Sequence, residues 1–110
     1  MDEDRPKTTL ADGSPITPDH REIDPLTGQH KAYVVLSDHE RAKGFIRPVR
    51  TKYKHLKCGV ITSMGYKIAE TYARQPDFYN ATFCVECRDH YPVGEDGEFL
   101  WDGTDEKVGT

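Results

Sequence analysis

His55-Leu56-Lys57-Cys58-Gly59 and Cys84-Val85-Glu86-Cys87 are two pairs of metal-ligand side chains, each enclosing two residues, with 25 residues between Cys58 and Cys84. Two intervening residues let a tight backbone turn present both side chains to one ion, and Gly59 permits the positive φ that such a turn often needs. Two such turns complete a tetrahedron. Three thiolates and one neutral imidazole form a closed set around zinc with no position left for water, so the expected role is structural rather than catalytic. The expected ligands are His55, Cys58, Cys84 and Cys87. His90, three residues after Cys87, is the alternative fourth ligand, and Asp89 is a weaker one. Two other readings stand beside the metal site. Cys84 and Cys87 as a redox dithiol would sit at a strand end opening a helix, a context that Pro92 and Gly94 fit poorly; all three cysteines as inert, partly buried thiols is the plainer case.

An ion would supply what the composition lacks. The chain has 110 residues, 35% hydrophobic and 31% charged, with a mean hydropathy of -0.77, which allows one domain with a small core. Metal binding then becomes part of the folding free energy. Three cysteines cannot all pair within one chain, and in a reducing compartment they point to metal binding or free thiols. No run approaches the length of a membrane span and the first residues lack an apolar signal segment, so a soluble, cytoplasmic protein is expected.

Along the chain, residues 1–30 carry Pro6, Pro15, Pro18 and Pro25 without helical or strand periodicity and read as an extended arm. Residues 31–102 read as the metal-binding domain and 103–110 as an acidic tail. Within the domain, Ala32-Tyr33-Val34-Val35-Leu36 fits a buried strand, and Ser37-Asp38-His39-Glu40 matches a capping box opening a short helix that Gly44 closes. From Val49 to His55 the pattern alternates, placing Tyr53 and His55 on one face and Arg50, Lys52 and Lys54 on the other. Ile61, Met64, Ile68 and Tyr72 recur at spacings of three and four, predicting an amphipathic helix over 62–74. Thr82 to Val85 reads as extended, and Tyr91-Pro92-Val93, a turn over 94–97 and Phe99-Leu100-Trp101 read as a hairpin. The expected class is α+β: a zinc-stabilised domain, zinc-ribbon-like or treble-clef-like, with one main helix, short antiparallel strands and extended termini.

Charge is uneven. The net charge is -4, yet residues 41–67 carry eight Lys and Arg and no Asp or Glu, while both flanks are acidic. Arg50, Lys52 and Lys54, with Tyr53 and Tyr66 nearby, form a candidate partner-binding face for nucleic acid or for an acidic protein surface, unless the flanks fold back onto it. Enzymatic readings find little. A zinc deaminase needs His-x-Glu and Pro-Cys-x-x-Cys, but Phe83 precedes Cys84 and no His-x-Glu occurs. Asp19-His20 faintly suggests a metal-dependent nuclease but sits in the unpatterned arm. His30 and His39 are lone histidines. No Ser-His-Asp order, phosphate-cradling glycine loop or small-molecule site is visible.

The run Glu40 to Arg50, with His55 to Gly59, Ala69 to Arg74, Phe83 to Cys87 and Trp101-Asp102-Gly103-Thr104, resembles a group of small uncharacterised phage proteins over about residues 30–110. The resemblance implies a virus-encoded protein in the host cytosol and carries no mechanism with it. Two functions follow as expectations. The first is a non-enzymatic zinc-site interaction module acting through its basic face; the alternative is a virion component whose arm and tail clasp neighbouring subunits.

Overall fold

The computed structural model describes residues 7–110. Of the 1–30 arm, residues 1–6 lie outside that range. Seven short strands and two helices follow one another as β1 (Thr8–Leu10), β2 (Val34–Leu36), α1 (Asp38–Arg41), β3 (Lys52–His55), β4 (Ile61–Ser63), α2 (Tyr66–Arg74), β5 (Ala81–Cys84), β6 (Asp89–Pro92) and β7 (Phe99–Trp101). The α+β class is as expected. All strand pairs are antiparallel: β1 with β2, a central sheet in the order β4-β3-β7, and β5 with β6.

Local chemistry explains most of these elements. The Ser37 hydroxyl accepts the Glu40 N–H at the start of α1, one half of the expected capping box, and Gly44, with φ of 108°, follows the helix end. In β3 the side chains alternate as the pattern requires, with Tyr53 and His55 buried and Lys52 and Lys54 exposed. The main helix is shorter than its stripe. Residues 61–63 pair with 52–54 as β4, so α2 starts only after Gly65, and Ile61 faces solvent opposite Lys54 instead of joining the core. Ile68 and Tyr72, with Ala69 and Ala73, form the face that α2 turns inward. The hairpin expected between residues 91 and 101 divides between two sheets. The turn over 94–97 exists, closed by Gly97 N–H on the Gly94 carbonyl, but Tyr91 and Pro92 belong to β6 and pair with β5, whereas β7 pairs with β3.

The core is a cluster of Tyr53, Tyr72, Cys84, Phe99, Trp101 and Val108, with Tyr53 edge-on to both Phe99 and Trp101. Val108 is 0% exposed. The segment expected to be an acidic tail therefore folds back along β7: Val108 N–H donates to Phe99, and Trp101 N–H donates to Glu106. One apolar side chain among acidic neighbours is enough to hold it, because β7 would otherwise leave Phe99 and Trp101 uncovered. The described part of the arm folds back as well. Thr8 to Leu10 pairs with Leu36 to Val34, burying Leu10, so the arm is tied to the domain by a ladder that its prolines hid.

Carboxylates of the C-terminal flank, with Asp38 and Glu40 just ahead of the basic stretch, fold onto it. Arg41 is buried, its Nε donating to the Leu36 carbonyl and its Nη1 lying 2.7 Å from Glu70, with Asp38 on the remaining nitrogen. Arg50 pairs with Glu106 at 3.1 Å and its guanidinium stands 4.8 Å from the Trp101 ring centroid. Lys43 pairs with Glu40 and Lys57 with Glu98.

Candidate metal centre

Each ligand pair lies at the tip of a hairpin, β3–β4 for one and β5–β6 for the other. His55 and Cys84 are the last residues of their strands, and Cys58 and Cys87 follow in the turns. The two turns share one backbone geometry. Gly59 N–H donates to the His55 carbonyl at 2.7 Å with φ of 74° at Gly59, and Arg88 N–H donates to the Cys84 carbonyl at 2.8 Å with φ of 55° at Arg88. Arg88 thus occupies, at a steric cost, the left-handed position that glycine fills in the first turn. A second constraint meets it there: a Cβ on Gly28 would come 2.4 Å from the Arg88 carbonyl, so only glycine lets residues 24–30 approach this turn.

The four expected ligands converge. One donor atom from each of His55, Cys58, Cys84 and Cys87 lies within 4.8 Å of all the others. Cys58 Sγ and Cys84 Sγ are 3.6 Å apart, as are Cys87 Sγ and His55 Nδ1. The group could hold a metal ion. His55 and Cys84 are buried, Cys58 is partly so and Cys87 is exposed, so the centre sits at the rim of the core.

His90, the alternative ligand, is engaged elsewhere. Its Nε2 is 2.8 Å from the Tyr33 hydroxyl, and its ring stacks on His30 with centroids 4.0 Å apart, while the Asp89 carboxylate accepts the His90 N–H. Burial lowers the pKa of both histidines. The charges of Arg21 and His20 add to this at His30, and that of His30 adds to it at His90. The native state therefore takes up these protons only below the ordinary value of about 6.5, whereas the unfolded chain takes them up there. Their contribution to stability is complete above that pH and is lost as the pH falls through the lower native values. Stability measured by urea melts from about pH 7.5 to about pH 5.5 is expected to fall less steeply in a His30→Phe/His90→Phe variant than in the native chain. Equal slopes would contradict this.

The neighbours of the cluster act on its side chains. His55 Nε2 lies 2.9 Å from Glu98 Oε1, which leaves Nδ1 to face the sulfurs. The hydrogen bond from His55, joined by Lys57, outweighs partial burial and holds the Glu98 carboxyl below its ordinary range. Tyr91 and Phe99 cover the two faces of the imidazole at 4.6 and 4.7 Å. At Cys84, burial opposes ionisation, but the backbone N–H groups of Cys87 and Glu86 and the Cys58 thiol together bring its pKa down. Although Cys87 reaches the surface, desolvation by its packed neighbours and its contact with Cys84 push its thiol up to about 11.

Sequence spacing missed Glu98. It is 43 residues from His55, and only the β3–β7 register, which sets His55 opposite Phe99, brings it within reach. Its removal supplies a prediction: Glu98→Ala is expected to weaken metal affinity about 10- to 100-fold, read by competition with a chromophoric chelator, with Glu98→Gln recovering part of the loss. Unchanged affinity in Glu98→Ala would deny the carboxylate this role.

The expected partner-binding residues do not stay together. Tyr53 is 2% exposed and its hydroxyl donates to the Phe83 carbonyl, so it belongs to the core and has no part in a binding face. Arg50 is committed to Glu106 and Trp101. Lys52 and Lys54 remain on the outer face of β3, and Tyr66 is exposed on α2. Among the described residues no helix is long and apolar enough to cross a membrane. Comparison with protein-family models, curated proteins and solved structures finds no match for this chain.

Proposed function

We propose that one zinc ion joins the two turns and that the chain is a non-enzymatic interaction module whose rigid β3 face meets an acidic partner. The observation that carries the zinc reading is the pair of 3.6 Å ligand separations. Zn–S bonds of about 2.3 Å and Zn–N bonds of about 2.0 Å at tetrahedral angles place ligand atoms roughly 3.5 to 3.8 Å apart. Three sulfurs and one imidazole suit zinc and leave no open coordination position, which supports a structural role. Both ligand pairs lie on hairpins, β7 flanks β3, and α2 supplies no ligand, which favours the zinc-ribbon-like arrangement over the treble-clef-like one.

The outer face of the central sheet carries Lys52, Lys54 and the exposed Ile61, with Leu100 paired opposite Lys54. Such a face matches an acidic protein segment studded with aliphatic side chains better than a phosphate backbone. Tyr53, the ring expected to stack on bases, is buried, and Asp102 and Asp105 border the groove beside Lys54. We favour the module over the virion reading because Thr8–Leu10 of the arm and the 103–110 segment already pack on this chain's own β2 and β7.

Fluorescence anisotropy of the zinc-loaded chain with a peptide of alternating Glu and Leu, and in parallel with a single-stranded oligothymidylate, tests the reading. Salt-sensitive binding of the peptide is expected, weakened at least about tenfold by Lys52→Glu/Lys54→Glu. Preference for the oligonucleotide would restore the nucleic-acid reading, and absence of binding to either at low salt would remove the basic face from the function.

A further inference from the structure

The four clustered side chains are not equally sheltered. His55 and Cys84 are buried and Cys58 is half-buried, but Cys87 stands exposed in the turn between β5 and β6. An exposed thiolate is the sulfur that a dissolved oxidant reaches first. Cys84 and Cys87 also share one turn. The Cys87 N–H points at the Cys84 sulfur at 3.5 Å, the Arg88 N–H closes the turn on the Cys84 carbonyl, and the donor atoms of the cluster lie within 4.8 Å of one another. These two sulfurs can therefore join without moving one hairpin against the other, whereas a bond from Cys87 to Cys58 would tie two hairpins together.

Zinc holds its sulfur ligands as thiolates. The other common means of keeping a cysteine pair ionised is a helix N-terminus beside it, and here β6 follows the pair instead. The ion would thus be what keeps Cys87 reactive.

We propose that Cys87 is the site at which a hydroperoxide oxidises this protein, and that Cys84 then pairs with it and the zinc leaves. The inference rests on the zinc reading above. In the first step the Cys87 thiolate attacks the terminal peroxide oxygen; an S–O bond forms, the O–O bond breaks, and the departing hydroxide or alkoxide takes up a proton from solvent. In the second, the Cys84 thiolate attacks the Cys87 sulfur and expels hydroxide, which is protonated in turn, leaving a disulfide. The two sulfurs give up two electrons and one peroxide takes them. Only His55 and Cys58 then remain for the ion, too few for a tetrahedron, and a dithiol with added zinc reverses the change.

The test uses the full chain, zinc-loaded and free of added thiol, with hydrogen peroxide as the probe. Native mass spectrometry first counts one zinc per chain; a chain that takes none overturns the zinc reading and this inference together. Peroxide is then expected to release zinc to a chromophoric chelator, with about one disulfide formed per zinc lost. Peptide mapping should place that disulfide between Cys84 and Cys87, and dimedone added with the peroxide should label Cys87 before Cys58. Cys87→His, which keeps a fourth ligand, is expected to slow the release at least about tenfold. Should that variant bind no zinc, the dimedone label in the native chain decides. Zinc retained under peroxide, a disulfide that includes Cys58, first labelling at Cys58, or release as fast from zinc-loaded Cys87→His would each overturn the inference and leave the zinc reading standing.

Discussion

If the proposed zinc holds this fold, Cys84→Ser is expected to abolish both stoichiometric zinc binding and the cooperative melt of this chain. Cys84 is expected to have the largest effect of any single ligand because it belongs to two structures at once. It is 0% exposed within the core cluster, and its sulfur lies 3.6 Å from Cys58 while accepting the Cys87 N–H. A serine oxygen is a poor substitute for a thiolate on zinc and leaves a hydroxyl in an apolar setting. The magnitude follows from a comparison. Structural zinc binding contributes about 10–16 kcal/mol in small metal-dependent folds, whereas a whole domain of this size is stable by about 5–15 kcal/mol. Losing most of the first term exhausts the second. Native mass spectrometry should find one zinc per native chain and none on the variant, and circular dichroism should show the variant without a sigmoidal transition. Excess EDTA should bring the native chain to the same state. A variant that keeps its metal, or that melts within a few degrees of the native chain, would defeat the idea that an ion holds this fold.

Deleting residues 103–110 is expected to cost about 3 kcal/mol or more, although that segment reads as an acidic tail. Val108 fills a place in the core, its N–H and carbonyl bond to Phe99 and Gly94, and Glu106 leaves with its ion pair to Arg50. Losing a fully buried valine accounts for about 2 kcal/mol, and uncovering Trp101 adds to it. Urea melts of the metal-loaded protein would measure the change, with Val108→Ala reproducing about 2 kcal/mol of it. Removal of Thr110 alone, exposed at the end of the chain, should change little. A truncated chain as stable as the native one would return these residues to the status of a tail.

The four side chains that cluster were legible because their signal is local. A two-residue gap has a geometric meaning wherever it occurs, and the alternation in β3 correctly turned His55 toward the cysteines. The capping box at Ser37 was legible for the same reason. What depends on pairing between distant segments was not. Ile61 satisfies a helical spacing and a strand register equally well, and only the ladder with Lys54 decides between them. Glu98, β1 and Val108 all acquire their roles from partners more than eight residues away, and nothing in their own neighbourhoods announces it. Charge misled in a similar way: the basic stretch is real in the sequence, but Arg41 and Arg50 are spent within the fold.

One strand carries the anchor and the outward lysines on alternate residues. His55 and Tyr53 face inward from β3 while Lys52 and Lys54 face out, so no residue of that strand can shift without moving both sets. If the proposed ion and the proposed acidic partner both bind, occupancy of the ion site and affinity for whatever rests on the lysines are linked quantities. A ligand that prefers the ordered strand must tighten the grip on the cation by the same factor that the cation tightens the grip on the ligand.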